Sequence, residues 1–252
     1  MSAANTSRQN VSTISNVSLS ELQGWIFTSI GVVCFSLSFV TARLALRGFD
    51  PGLIALARGA GAGLIAVVCV LTGKYPVPRP GQMVRLCLAA IGIVFVFPIF
   101  TTVALQTVPA SHAAAIAAVL PLLTALFGVM RKRERAPFIF WLIAGSGTMV
   151  VAWFLASRSN GVQLEHADIL IVLACIACSY GYAEGGFLAQ ELGGWRAICW
   201  MLVLATPVAV ALLGSYLMWR GGVSHGDSPI AWFGLLYQIA VSQFIGFAFY
   251  YR

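Results

Sequence analysis

Long apolar runs alternate with short polar breaks along the whole chain. Eight runs stand out, at residues 25–46, 52–72, 84–105, 109–130, 137–156, 167–190, 197–218 and 229–251. A helix needs about 20 apolar residues, at ~1.5 Å each, to cross ~30 Å of hydrocarbon, and each run is of that order. Hydrocarbon offers an unpaired backbone no hydrogen bonds, and the runs lack the two-residue alternation of a barrel strand. The pattern predicts an all-α integral membrane protein, a polytopic bundle of eight transmembrane helices. Residues 1–24 precede the first run; the first 19 are polar, rich in Ser, Asn and Thr, and are expected to form a flexible tail.

Composition agrees. Of 252 residues, 60% are hydrophobic and 9% charged, with mean hydropathy +0.89. A soluble domain carries roughly a quarter of its residues as charges, so lipid is the expected solvent for most of this surface. The net charge of +7 would suggest nucleic acid in a soluble protein; here it reads as topology, and no nucleic-acid partner is expected. Basic residues are retained on the cytoplasmic side. With the tail cytoplasmic, that side holds Arg8, Lys74, Arg79, Arg85, Arg131, Lys132, Arg133, Arg135, Arg196 and Arg252. The other side holds Arg47, Arg158 and Arg220. The bias predicts a multi-pass cell-membrane protein with a cytoplasmic N-terminus, anchored most strongly by "RKRER" at residues 131–135.

Little of the sequence points to chemistry. The six cysteines (Cys34, Cys69, Cys87, Cys175, Cys178 and Cys199) all fall within predicted helices. Cys175 and Cys178, spaced C-x-x-C on a membrane helix, read as small packing residues, so neither metal nor cofactor is expected. Ser146, in "AGSGT", could serve a hydrolase only with a histidine in reach. His112, His166 and His225 lie at or beyond the opposite helix ends, so no catalytic group is assigned and no enzyme is expected. No phosphate-binding G-x-x-x-x-G-K-[ST] loop occurs.

Three prolines fall inside predicted helices: Pro98, Pro121 and Pro207. Each removes a backbone donor and crowds the preceding turn, so each is an expected kink, of a kind common beside cavities. Ala55, Gly59 and Gly63 lie four apart, and Gly181 and Gly185 repeat the spacing; both stripes predict close helix approach. The first two helices can also be laid on the sixth and seventh at an offset of 144 residues, which aligns Cys34 with Cys178. An odd number of helices separates the copies, so they would be inverted, as in many secondary transporters.

Two stretches carry a family resemblance. "FSLSFVTARLALRGFDPGLIALARGAGAG" contains Arg43, Pro51 and Arg58, and "PASHAAAIAAVLPLLTALFGVMRKRERAPFIFWLIAGSGTMVV" contains Pro121 and Glu134. Their order and spacing resemble the EamA-type permeases of the drug/metabolite transporter superfamily. The resemblance implies ten helices in an inverted 5+5 repeat. Residues 25–156 would form the first five-helix repeat and 167–252 an incomplete second repeat of three, with the last two helices lacking. A fragment, a homodimer or a separately supplied helix pair would account for this. The implied function is secondary transport of small metabolites or drugs by alternating access, with a small-molecule solute and membrane lipid as partners. A non-transporting membrane subunit or receptor, or an intramembrane enzyme, is the alternative.

Ionisable groups within a membrane are costly and are therefore site candidates. Arg43 and Arg58 flank the Asp50-Pro51 turn symmetrically. Either they line a hydrated vestibule for anionic solutes, or Arg43 reaches outward while Arg58 caps backbone carbonyls. Glu184 lies ~25 Å along the sixth helix, too far to neutralise either arginine; it is a proton-coupling group or a hydrated interfacial carboxylate. Gln106 and His112 are placed to contact solute or cap helix ends. Tyr182 is a further solute candidate, and Gln238 either contacts solute or, like Tyr237 and Gln243, bonds a neighbouring helix.

Overall fold

The computed structural model describes residues 19–132, 137–158, 166–222 and 228–251. Residues 1–18 of the tail lie outside the described part, as do Arg133, Glu134, Arg135, His225 and Arg252. The described residues are all helical in their regular structure, in eight rods. Seven are long and apolar enough to cross a membrane, one fewer than the eight apolar runs suggest.

Helix α1 has two pieces, Leu19–Ser36 and Ser38–Ala45. Helix α2 is Pro51–Gly73, and α3 runs from Pro80 to Ala104 with a π-helical stretch at Ile91–Val96. Helix α4 is again split, into Ala110–Ala117 and Leu120–Lys132. Helix α5 is Phe138–Arg158, whose apolar part within the described residues spans only Phe138–Val150. Helices α6 (His166–Leu192) and α7 (Gly194–Arg220) are continuous. Helix α8 is Pro229–Leu236, a π segment Tyr237–Ile245, and Gly246–Tyr250.

Proline explains part of this segmentation. Pro51, Pro80 and Pro229 open their helices, where the missing N–H has no intrahelical partner to lose. Pro121 stands one residue inside the second half of α4, directly after the interruption at Ala118–Val119. Pro98 follows the π segment of α3, which spaces the backbone ladder more widely ahead of the missing donor. Pro207 sits within an unbroken α7. The turn from α6 to α7 uses Gly193 at φ 87°, its N–H bonded to the Ala189 carbonyl at 2.9 Å. A side chain would be strained there.

Lipid tails are as apolar as leucine, so packing contacts hold such a bundle together rather than escape from water. The small-residue stripes supply those contacts. A side chain added at Gly59 would meet Val94 of α3 at 3.0 Å, and one at Gly63 would strike the Thr206 hydroxyl of α7. Gly181 of α6 stands against the Ala89 carbonyl of α3, 2.8 Å from where a β-carbon would be. The largest buried cluster joins α2, α3, α6, α7 and α8 around Leu86, Ile93, Ile198 and Met201. A second joins α1, α3, α4 and α6 around Leu105 and Ile171, and a third joins α1, α2 and α8 around Ile54. Helix α5 lies at the edge, with Phe138, Ile143, Met149 and Trp153 exposed.

Candidate functional site

Four polar assemblies and three cavities stand out among the described residues. The first assembly lies where α1, α2 and α8 meet. Arg58 is 4% exposed, and among the described residues its bonded partners are amides, not acids. Its Nε donates to Gln243 Oε1 at 2.6 Å and its Nη1 to Gln238 Oε1 at 2.8 Å. Gln238 donates onward to the Ser38 carbonyl at 2.6 Å and to the Thr41 hydroxyl at 2.8 Å. Ser38 and Ser242 share a 2.5 Å hydroxyl contact, and Tyr237 donates to the Cys34 carbonyl at 3.1 Å.

The π segment of α8 positions the two amides. In an α-helix, residues five apart point about 140° away from each other. Widening the ring to i→i+5 swings them toward one side, so Gln238 and Gln243 can serve one guanidinium. The alternative that Arg58 caps backbone carbonyls is corrected, because its partners are side-chain amides. Arg58 is enclosed, whereas Arg43 lines a cavity. Tyr237, Gln238 and Gln243 bond across helices or to Arg58, the packing role open to them.

Arg43 is the carbonyl cap instead. Its Nη1 donates to the Leu105 and Val108 carbonyls, the latter at 3.1 Å, tying the end of α1 to the α3–α4 connection. Arg43 also lines a 540 Å³ cavity at this end with Gln106, Arg47 and Asp50. Arg220 of α7 forms an ion pair with Asp50 here.

The remaining two assemblies join α4 to α6. At the α1–α2 end, His112 Nε2 lies 2.7 Å from Asp168 Oδ1. At the opposite end, Glu184 is paired with Arg85 of α3 and, at 3.3 Å, with Arg131 of α4. Arg85 also holds Glu191 at 2.5 Å, and Gln82 donates to Glu191 at 3.0 Å. Glu184 is 3% exposed, which corrects its reading as a hydrated interfacial carboxylate. Its distance from Arg43 and Arg58 leaves it with other cations, from elements 99 and 53 residues away. Sequence spacing carries no sign of such pairings.

The other two cavities lie among α1, α4, α6 and α8. One, of 710 Å³, is lined by Thr28, Thr124, Tyr182, Gln190, Tyr250 and Tyr251 among others. The second, of 480 Å³, shares Thr124, Tyr182 and Tyr250, and adds Phe35, Phe39 and Pro121. The aromatic walls support one another: Phe35 stacks on Tyr182 at 6.3 Å, and Tyr182 packs on Tyr250 at 5.5 Å and Phe247 at 5.4 Å. Among the described residues, neither lining contains an ionisable Asp, Glu, Lys, Arg or His. The buried hydroxyls of Thr124 and Tyr251 have no hydrogen-bond partner among the described residues. Of the solute candidates, only Tyr182 borders these two cavities. Pro121 borders the second, beside the split in α4. The aromatic wall escaped sequence reasoning because Phe35, Tyr182 and Tyr250 come from three distant segments.

Comparison with known proteins gives a consistent picture. Residues 22–158 match the EamA-like transporter family. A Bacillus subtilis (strain 168) protein described as the uncharacterized transporter YdeK is 37% identical over 229 residues, covering 91% of this chain and 78% of that protein. A Pseudomonas fluorescens (strain Pf0-1) protein described as undecaprenyl phosphate-alpha-4-amino-4-deoxy-L-arabinose arabinosyl transferase 2 is 33% identical over 119 residues. That match spans 43% of this chain and 20% of the transferase. A solved crystal structure shares the fold, with a TM-score of 0.64 at 16% identity over 90% of this chain and 77% of its own.

Proposed function

This chain belongs to the EamA-like transporter family, and on that premise we propose that it is a secondary transporter of small, uncharged amphipathic solutes, working by alternating access. It is a multi-pass membrane transporter; the solute class and the cycle are the proposal. The observation that carries it is the pair of adjoining cavities walled by Phe35, Tyr182 and Tyr250.

The chemistry of the lining supports that solute class. A lone charge moved from water into a low-dielectric cavity costs several kcal/mol unless a counter-charge receives it. Among the described residues these walls offer none, and Glu184, next in sequence to Ala183 of the 710 Å³ cavity's lining, is already bound by Arg85 and Arg131. The rings suit a flat apolar body. Hydroxyls at Thr124 and Tyr251 suit one or two polar groups on the solute. The excess of basic residues supports an orientation with the α2–α3 and α4–α5 connections in the cytoplasm.

Proteoliposomes test the reading with phenyl β-glucoside and its charged counterpart, phenyl β-glucuronide. Saturable glucoside flux is expected, with glucuronide slower by roughly ten-fold or more, the equivalent of about 1.4 kcal/mol. Equal or faster glucuronide flux would remove the solute class. Absence of carrier-dependent flux for both would remove it as well.

A further inference from the structure

Helix α6 holds α4 at three heights. Asp168 holds His112 on the first half of α4 at 2.7 Å, and Glu184 holds Arg131 on the second half at 3.3 Å. Between them the Ser179 hydroxyl donates to the Leu120 carbonyl at 3.2 Å, just after the α4 helix is interrupted at Ala118–Val119. The same interruption, with Ala117, Ala118, Leu120 and Pro121, forms a wall of the 480 Å³ cavity.

We propose that the two halves of α4 are separate gates to this cavity, hinged at Ser179–Leu120, with His112–Asp168 and Arg131–Glu184 as their latches. The assignment rests on the transport reading above.

Three features fit latches that release. Each half of α4 carries its own polar contact to α6. Between the halves the ladder tightens to a Val119 N–H to Ile116 carbonyl bond at 3.2 Å just ahead of Pro121, which has no N–H to donate, so this is where α4 can bend. The α4 partners are accessible: the side chains of His112 and Arg131 are 33% and 55% exposed, so water can take over when either leaves. Finally, Glu184 keeps Arg85 when Arg131 departs, so opening that end does not strand a buried carboxylate. Permanent struts would instead be enclosed on both partners, where losing one is strongly destabilising.

Hydrogen exchange on the full chain in detergent or nanodiscs tests this without any solute. Asp168→Asn is expected to raise exchange in Ala110–Ala117 roughly two- to five-fold, the scale of a partly exposed ion pair, and to leave Leu120–Lys132 unchanged. Arg131→Gln should do the reverse, and Arg131→Lys, which keeps the charge, should restore protection. Should Asp168→Asn impair folding, His112→Asn cuts the same latch from its exposed partner. Coordinated loosening of both halves by either variant would overturn the proposal, as would no change in either half. Lost flux with this exchange pattern intact would count against the proposed solute and spare the gates.

Discussion

Gln243 accepts the Nε–H of Arg58 at 2.6 Å, across 185 residues of chain. The contact is one side of a fork, because Gln238 takes the Nη1–H at 2.8 Å. A buried guanidinium is thus solvated by two amide dipoles. Both amides reach it because α8 widens to a π-helix over Tyr237–Ile245.

Cutting either arm should be costly. Hydrogen bonds to charged groups contribute ~1.5–3 kcal/mol each, and Gln238→Leu or Gln243→Leu should each destabilise the protein by about that amount. Gln238→Leu should cost more of the two, because Gln238 also bonds Ser38 and Thr41. Combining Gln238→Leu with Arg58→Met should cost less than the two single losses added, since the stranded charge disappears. Thermal unfolding in one detergent across the four proteins of the cycle measures this. Strict additivity would mean that Arg58 is solvated by something other than these amides.

The bundle was legible in the sequence because lipid imposes a length rule on apolar runs, and its close contacts were legible as glycine spacing. Pro121 marked the α4 interruption. The break in α1 at Leu37 has no proline beside it, and neither π segment follows a residue pattern; these depend on what neighbouring helices present. Pairings such as Arg85–Glu184 were hidden for a related reason. Helix depth can be counted along a sequence, but the rotation that turns two charges toward each other is set by packing.

Glycine spacing makes a sharp prediction at Gly63. Its missing β-carbon leaves room for the Thr206 hydroxyl, so α2 and α7 meet nearly backbone to side chain. Gly63→Val should destabilise by ~1–3 kcal/mol, the usual scale of overpacking. Gly145→Val in α5 is the control, because nothing lies within 4 Å of a β-carbon there. Parallel thermal melts compare them, and equal losses would place the cost in helix propensity rather than in the α2–α7 contact.

Tyr182 separates ring from hydroxyl at the cavity. Its ring borders both cavities and meets Phe35, Phe247 and Tyr250. An aromatic contact is worth ~0.5–1.5 kcal/mol beyond its area. Tyr182→Ala should therefore raise KM for phenyl β-glucoside by roughly three- to ten-fold, and Tyr182→Phe should stay within about two-fold. Initial-rate flux in proteoliposomes distinguishes the two. A Phe variant as weak as the Ala variant would shift the role from the ring face to the hydroxyl.

The two arginines on Glu184 should prove unequal. Arg85 is the more enclosed, its side chain 24% exposed against 55% for Arg131, and it alone of the two also holds Glu191. Losing Arg131 leaves Glu184 the enclosed Arg85, whereas losing Arg85 leaves it only the more exposed Arg131 at 3.3 Å. Arg85→Met should lower stability by ~1–3 kcal/mol, the desolvation cost of an under-partnered buried group. Arg131→Met should cost less than ~1 kcal/mol, as an exposed pair does. Adding Glu184→Leu to Arg85→Met should recover part of the loss, because the buried charge that needed a partner goes with it. Unfolding midpoints of the four proteins decide the order, and an Arg131 variant weaker than the Arg85 variant would mean that helix α4, not α3, neutralises Glu184.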